Sequence, residues 1–311
     1  MNNIICIAGP TASGKTALAV ALAKELNGEV VSCDSMQIYR RMDIGTAKPT
    51  EEEKQGIVHH MLDVAEPDED FSVSRYCEMA TPIVEDITAR GKTAIIAGGT
   101  GLYMDSLIRG NAFAPFPSTG MREKLEAQAE AEGMDAMLSL LRSIDPDAAQ
   151  KLHPADRKRV IRALEVYYET GETITAHNRK TQSIPPRFSP VWLGLDFSER
   201  SELYRRIDLR VDIMLQQGLV EEIRSLLADG IPARCTAMQA IGYKEFVDAL
   251  TGNGSIADAA AQVRQSSRRY AKRQLTWFRR NPNMHWLTRG AGDGSGEILA
   301  KARQVLHETD N

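Results

Sequence analysis

The stretch "IAGPTASGKTALAV" near the start of the chain restricts the fold more than any other feature. It contains the pattern G-x-x-x-x-G-K-T, follows the apolar run "NIICIAG" and leads into the helix-forming segment "KTALAVALAKEL". Between a buried strand and a helix, such a loop wraps a di- or triphosphate with backbone N–H groups, and the helix N-terminus favours the anion. We therefore predict a phosphate loop at residues 9–16, with the Lys15 ammonium on the phosphates and the Thr16 hydroxyl on a Mg²⁺ ion. Its predicted diphosphate-binding residues are Gly9, Pro10, Thr11, Ala12, Ser13, Gly14, Lys15 and Thr16.

Further short apolar segments, "EVVSCDS", "KTAIIAGGTGLY", "PVWLGLDF" and "NMHWLT", alternate with helical patterns. This alternation is typical of an α/β protein with a doubly wound parallel sheet, as in P-loop NTPases. Between the proline-rich stretches "FAPFPSTG" and "SIPPRFSP", the spacing of apolar residues is that of helices, and no convincing strand appears. We predict a core of residues 1–115 and 191–311, interrupted by a helical insertion at residues 116–190.

Composition excludes some classes of protein. No apolar run approaches the roughly 20 residues of a membrane span, and the N-terminus lacks the basic region of a signal peptide. The four cysteines are scattered singly and the six histidines form no metal-binding pattern. We expect reduced thiols, a cytoplasmic location and no membrane partner. The net charge of −4 argues mildly against a nucleic-acid partner, unless basic residues cluster locally.

Asp34 and Ser35 follow the second predicted strand, at the start of "DSMQIYRRMDIGTAKP". An Asp-Ser pair in this place is commonly a helix cap or a turn. It is also where a kinase or ATPase would hold Mg²⁺, so the residues alone leave structural and catalytic roles open.

Two arginines lie at the border of an apolar helical stripe formed by Leu203, Ile207, Val211 and Met214. Arg206 and Arg210 are four residues apart, so their like charges repel slightly unless an anion lies between them. The alternative is a solvated helix face in which Asp208 and Asp212 are their partners.

Two segments carry basic faces. On the helix predicted from Asp156 to Tyr168, Lys158, Arg159 and Arg162 lie opposite an apolar face that includes Val160 and Leu164. The segment from Arg264 to Arg280 holds seven Lys or Arg and no acidic residue, with Tyr270, Trp277 and Phe278 interleaved. Such faces are often merely solvated, but together they suit an RNA, whose phosphates attract cations and whose loop bases stack on aromatic rings. Trp277 is expected to be buried rather than stacked on a base.

Taken together, "GPTASGKT", "DSMQIYRRMDIGTAKP", "AGGTGLY", "KRVIRALEVY", "RRIDLRVDIML", "QAIGYKE" and "AKRQLTWFRR" closely resemble the bacterial tRNA dimethylallyltransferases. The resemblance runs from about residue 4 to 288. It implies that the loop holds the diphosphate of dimethylallyl diphosphate, whose prenyl group moves to the exocyclic N6 amine of the adenosine 3′ of the anticodon in tRNA.

The resemblance also implies roles for individual residues. Asp34 would be the general base, while Lys15, Mg²⁺ on Thr16, and Arg210 with Arg206 would stabilise the departing diphosphate. We expect a monomer. The implied tRNA contacts are Asp34, Ser35, Met36, Gln37, Thr100, Arg122, Lys158, Arg159, Val160, Ile161, Arg162, Gln239, Gly242, Lys272, Arg273 and Arg279.

Three other functions compete with this one. A small-molecule P-loop kinase would use ATP, but it leaves the segment after Asp34 and both basic faces unexplained. An adenylate-prenylating cytokinin synthase would share the core, but its free nucleotide substrate gives no reason for the basic faces. A phosphate-gated RNA-binding module would not need Asp34.

Overall fold

The computed structural model describes residues 3–111, 119–252, 254–290 and 292–309. The chain divides into two compact units, a core unit of Met1–Gly110 with Arg187–Asn311 and a helical unit of Asn111–Pro186. The first predicted boundary of the insertion, between residues 115 and 116, lies outside the described residues. The second, after residue 190, falls four residues beyond Pro186 (190 against 186). No helix in the described ranges is both long and apolar enough to cross a membrane.

The core unit is built on one six-stranded sheet with the order β3-β2-β4-β1-β5-β6, and every pair of neighbouring strands is parallel. The predicted α/β class with a doubly wound parallel sheet is confirmed. The two-residue edge strand β3 has no apolar signature, so the sequence pattern does not indicate it. The strands are β1 Ile4–Ala8, β2 Gly28–Ser32, β3 His59–His60, β4 Thr93–Gly98, β5 Val191–Phe197 and β6 Met284–Arg289.

Helices cover the sheet because its central strands are apolar on both faces. Ile5 and Ile7 of β1 share a buried cluster with Leu18 and Leu22 of the first helix and Ile298 of the last. Each such side chain contributes about 1.5–3 kcal/mol by leaving water. The helices of this unit are α1 Lys15–Glu25, α2 Glu51–Lys54, α3 Val73–Ala89, α4 Gly101–Arg109, α10 Arg200–Gln216, α11 Leu219–Ala228, α12 Lys244–Thr251, α13 Ile256–Phe278 and α14 Ser295–Thr309, with a 3₁₀ turn at Ala237–Gln239.

The helical unit has a core of its own. Leu125, Met137, Leu141 and Leu164 are buried in one cluster, as amphipathic helices packed on each other require. Its helices are α5 Met121–Glu132, α6 Met134–Ile144, α7 Pro146–Ala149, α8 Arg157–Thr170 and α9 Ile174–Ser183.

A buried carboxylate lies near the amino end of β2, at the edge of the sheet opposite the phosphate loop. Glu29 accepts hydrogen bonds from Arg90 (2.6 and 2.9 Å) and Lys92 (2.8 Å), and its second oxygen is 2.8 Å from His60 Nε2. The Arg90 hydrogen bonds hold the pKa of Glu29 well below its usual range, against the effect of burial. This cluster ties β2, β3 and the segment before β4 together, which is a role in stability.

Candidate phosphate and acceptor site

The phosphate loop joins the end of β1 to the start of α1, as predicted. Gly9 and Gly14 have φ of 152° and 95°, and Ala12 also has a positive φ of 61°. A Cβ on Gly9 would lie 3.0 Å from Leu195 Cβ, and the φ of 152° is rarely adopted by residues with a side chain, so glycine is strongly favoured there. The Ser13 hydroxyl is buried and has no hydrogen-bond partner among the described residues. Buried polar groups normally have a partner, and a phosphate oxygen is one that this hydroxyl can bind.

Lys15 crosses the phosphate loop instead of pointing into solvent. Its Nζ donates hydrogen bonds to the carbonyl oxygens of Gly9 (3.1 Å) and Pro10 (2.8 Å). Burial lowers the pKa of Lys15 to about 8, while the nearby Asp34 charge raises it and the Arg210 charge lowers it. A bound diphosphate would keep this amine protonated, since an adjacent anion favours the charged form.

Arg206 and Arg210 reach the phosphate loop from α10. Arg206 Nε donates to the Ala12 carbonyl oxygen (2.9 Å), and Arg210 Nη1 donates to Thr11 Oγ1 (3.2 Å). Burial lowers the pKa of Arg210, an effect that the Asp34 charge opposes and the Arg206 charge reinforces. The structure thus brings three cations to one loop, the arrangement that an anion would stabilise.

The alternative of a solvated helix face is wrong for these two arginines. The acids expected as their partners bind elsewhere: Asp208 pairs with Arg268 and Asp212 pairs with Arg264, both on α13. These pairs join α10 to α13. The guanidinium groups of Arg206 and Arg210 remain bonded to the phosphate loop.

Asp34 follows β2 and lies close to the phosphate loop. Its Oδ1 accepts a hydrogen bond from Met36 N (2.9 Å), which makes the turn that its sequence position favours. Within the described ranges, Oδ2 accepts no hydrogen bond from the chain. Ser35 N donates to Thr100 Oγ1 (3.0 Å), so the start of this segment is fixed to the loop that follows β4.

We call residues 34–48 the acceptor loop. Gln37 holds it from within: its Oε1 accepts from Ser32 Oγ (3.1 Å), and its Nε2 donates to the carbonyl oxygens of Thr46 (3.2 Å) and Ala47 (3.1 Å). The Gln37 amide is therefore bonded to the end of β2 and to the acceptor loop itself. Any contact of Gln37 with an RNA would have to displace these bonds or add to them.

The acceptor loop is also held from outside by one carboxylate on α11. Glu222 accepts hydrogen bonds from the backbone N–H groups of Asp43 (2.9 Å), Ile44 (2.8 Å) and Gly45 (3.2 Å) and from the Tyr243 hydroxyl (2.7 Å). Four donors on one carboxylate make a strong, charge-assisted attachment.

Sequence reasoning missed one arginine beside the phosphate loop. Arg289 ends β6, and its Nη2 is 3.4 Å from where a Cβ on Gly14 would lie. Its Nη1 donates to the Asp293 carbonyl oxygen (2.7 Å), and burial, followed by the charge of Arg206, lowers its pKa. Ligands of parallel α/β sheets bind outside the carboxyl ends of the strands, so its place at the end of a predicted strand was an available signal.

On α8, two of the implied RNA contacts are unsuited to that role. Val160 and Ile161 are buried in the core of the helical unit, with at most 1% of either exposed, because they lie on the apolar face of α8. Lys158 and Arg159 are exposed. Arg122 and Arg162 both donate to Glu165 and so form a small charged network.

The implied contacts of the core unit are mostly exposed. Lys272, Arg273 and Gln239 lie on the surface, and Arg279, also exposed, donates to Asp196 Oδ2 (2.8 Å). Gly242 is buried, and its N–H donates to Glu245 (2.9 Å), so it acts through the backbone turn before α12. Trp277 is half-buried, and its Nε1 donates to Asp105 Oδ2 (2.8 Å).

The fold and the loop define an α/β protein of the P-loop class. Residues 37–281 match a family model described as "IPP transferase". The tRNA dimethylallyltransferase of Acetivibrio thermocellus is 45% identical over 307 residues, 98% of each chain, and that of Caldanaerobacter subterraneus subsp. tengcongensis is 49% identical over 286 residues, 91% of this chain and 90% of the relative. The chain belongs to the IPP transferase family.

Solved structures agree with this assignment. The full-length tRNA isopentenylpyrophosphate transferase of Bacillus halodurans is 40% identical, with a TM-score of 0.72 over 100% of both chains. A eukaryotic dimethylallyltransferase acting on tRNA is 30% identical, with a TM-score of 0.82 over 99% of this chain and 80% of the other.

Proposed function

We propose that this protein transfers the dimethylallyl group of dimethylallyl diphosphate to the N6 amine of the adenosine 3′ of the anticodon in tRNA. The observation that carries this proposal is the meeting of a phosphate loop, two arginines and a carboxylate in a member of the IPP transferase family. Kinases of this fold would share the loop, but the family match favours a prenyl diphosphate as the phosphorylated substrate.

The diphosphate is the leaving group, and negative charge grows on its bridging oxygen as the bond to the allylic carbon breaks. The N–H groups at the start of α1, the Lys15 ammonium and the Arg210 guanidinium lie where they can stabilise that charge. Fixed donors of this kind commonly supply the largest single contribution to catalysis. Arg206 and Arg289 would add charge from either side of the loop.

The acceptor amine is a weak nucleophile, because its lone pair is delocalised into the adenine ring. We assign Asp34 as the general base, which takes the N6 proton as the new C–N bond forms. Its Oδ1 is fixed by Met36 N, which leaves Oδ2 for the substrate. A positioned base typically contributes about 10²–10⁴-fold. Ser35, Met36, Gln37 and Thr100 would form the surroundings of the adenine.

The donors present suit a magnesium ion. Mg²⁺ takes oxygen ligands and commonly keeps several waters, with one or two protein ligands besides substrate phosphates. The described residues contain no group of three or more His, Cys, Asp or Glu side chains that could hold a metal alone. We assign Thr16 as the protein ligand, through its hydroxyl, and Mg²⁺ would neutralise charge on the diphosphate oxygens.

We assign a separate RNA-binding surface to each unit. In the helical unit it would comprise Lys158 and Arg159 of α8, with Arg122 and Arg162 beside them. In the core unit it would comprise Lys272 and Arg273 of α13 and Arg279 just after it, with Gln239 and the Gly242 turn. Val160 and Ile161 are left out because they are buried. We further propose that the enzyme acts as a monomer in the cytoplasm, where its tRNA substrate is found.

One assay separates the candidate functions. The protein is incubated with Mg²⁺, dimethylallyl diphosphate and either unmodified tRNA or AMP, each with and without ATP, and the products are analysed by mass spectrometry. Prenylated tRNA supports the proposal, prenylated AMP supports an adenylate prenyltransferase, and ATP hydrolysis or phosphoryl transfer without prenylation supports a kinase.

The Asp34→Ala variant tests the base. We expect tRNA binding to be retained while turnover falls by about 10²–10⁴-fold, because only proton removal is lost. Asp68, which is exposed, provides the control Asp68→Asn with unchanged turnover. Turnover at the wild-type level in Asp34→Ala would remove Asp34 from the reaction.

A further inference from the structure

One buried amide joins the two halves of the site. Gln274 lies on α13, 5% exposed, and its Oε1 accepts a hydrogen bond from Thr11 N of the phosphate loop (2.9 Å). Its Nε2 donates to the Gly99 carbonyl oxygen (2.9 Å), in the loop that follows β4. The two ends of a single planar group therefore hold together the loops that follow the neighbouring strands β1 and β4.

Each loop continues to a group of the proposed reaction. On one side, the Thr11 hydroxyl accepts a hydrogen bond from Arg210. On the other, Gly99 precedes Thr100, which holds Ser35 and thereby the start of the acceptor loop with Asp34. The pairing of β1 with β4 sets where the two loops begin. Gln274 then joins the phosphate loop to the loop that holds Ser35, so it fixes their spacing beyond the ends of the strands.

The amide is closely packed against the loop that follows β4. A Cβ on Gly99 would lie 2.1 Å from Gln274 Nε2, so a side chain there would displace the amide from its present position. One turn earlier on α13, the Tyr270 side chain forms hydrogen bonds with Thr100 and Gln274, and burial raises its pKa to about 12, so it stays neutral. With both amide ends bonded, the rotamer of Gln274 is fixed.

We propose that Gln274 is a positioning residue for prenyl transfer, which sets the distance from the phosphate loop to the acceptor loop without touching either substrate. The inference rests on the proposed function. In a displacement reaction the two reactants must meet in one narrow geometry, and a shift of about 1 Å can cost roughly 100-fold in rate.

The test replaces the amide by a side chain of similar length without hydrogen bonds, Gln274→Met. We expect the single-turnover rate at saturating tRNA and dimethylallyl diphosphate to fall by about 100-fold. Affinity for a dimethylallyl thiolodiphosphate should weaken about tenfold, while tRNA affinity stays within twofold, because Gln274 is buried below the basic surface. Gln262→Met, an exposed change on the same helix, is the matched control and should behave as wild type.

The isosteric variant Gln274→Glu distinguishes positioning from stability. A protonated glutamic acid can still donate to the Gly99 carbonyl, whereas the carboxylate repels that oxygen, and burial raises the pKa of such a group. We expect its single-turnover rate, relative to wild type at the same pH, to be low at pH 8 and to recover toward pH 6.

Four outcomes would overturn the inference. They are an unchanged saturated rate per active site in Gln274→Met, a loss of tRNA affinity as large as the loss of rate, a lower melting temperature as the only effect, or a Gln274→Glu rate ratio independent of pH. If wild type itself fails to prenylate tRNA, the proposed function falls. If wild type is active and Gln274→Met matches it, only this inference falls.

Discussion

Raising the pH from 7 to 9 should weaken the binding of diphosphate to the phosphate loop by about tenfold. The cause is Lys15, whose pKa is lowered to about 8 by burial beside the loop carbonyls. At pH 7 about nine in ten molecules carry the ammonium, and at pH 9 about one in ten. The bound anion raises the pKa of Lys15, so above pH 8 each binding event must take up a proton. Affinity is then full below pH 8 and falls about tenfold per pH unit until the pKa of the complex is reached.

Calorimetric titration with dimethylallyl thiolodiphosphate, from pH 6.5 to 9.5 in buffers of different ionisation enthalpy, measures both the affinity and the proton uptake. Lys15→Arg is the control, because a guanidinium stays charged throughout and should abolish the dependence on pH. A flat affinity in wild type with no proton uptake at pH 9 would refute the idea that Lys15 is neutralised by burial. A slope that persists in Lys15→Arg would assign the titration to another group.

Other perturbations address the remaining parts of the molecule. Arg210→Ala should weaken diphosphate binding, measured by isothermal titration calorimetry, by about 10–100-fold. Arg205→Ala, an exposed change on the same helix, should leave the measured affinity unchanged. The affinity for tRNA should fall steeply with added salt, and Lys272→Gln should lower the slope of log K against log salt by about 0.7–0.9; an affinity independent of salt would contradict the proposed RNA-binding surfaces. Glu29→Gln should lower the free energy of unfolding in urea by about 2 kcal/mol at pH 7. Since the folded pKa of Glu29 is depressed, its contribution is present above the unfolded pKa and is lost as the pH falls, so wild type and variant should converge in acid, and a difference that persists there would argue against the charge.

Local patterns predicted the parts of the site that depend on neighbours in sequence. The glycines and Lys15 defined the phosphate loop, and the apolar stripe of α10 placed Arg206 and Arg210 at its border. Val160 shows the limit of carrying over a whole block by resemblance: the helical period places it on the buried face, and the structure confirms that position.

Distant contacts were not predictable in the same way. Gln274 meets Thr11 across 263 positions, and an isolated glutamine in a basic segment gives no sign of which backbone groups it will bind. The pairing of Asp208 with Arg268 is likewise decided by the packing of α10 on α13. The short strand β3 forms because β2 has a free edge there, which the letters "HH" do not indicate.

The attachment of Glu222 to the acceptor loop has a consequence for biosynthesis. The Glu222 carboxylate lies 177–179 positions after the backbone N–H groups that donate to it, and Tyr243, the fourth donor, lies 21 positions later still. A nascent chain arrested on the ribosome before Leu219 lacks the carboxylate that anchors residues 43–45 of the acceptor loop, and it also lacks Gln274, which holds Thr11 of the phosphate loop. We therefore expect both loops to reach their final arrangement only after α13 has been synthesised.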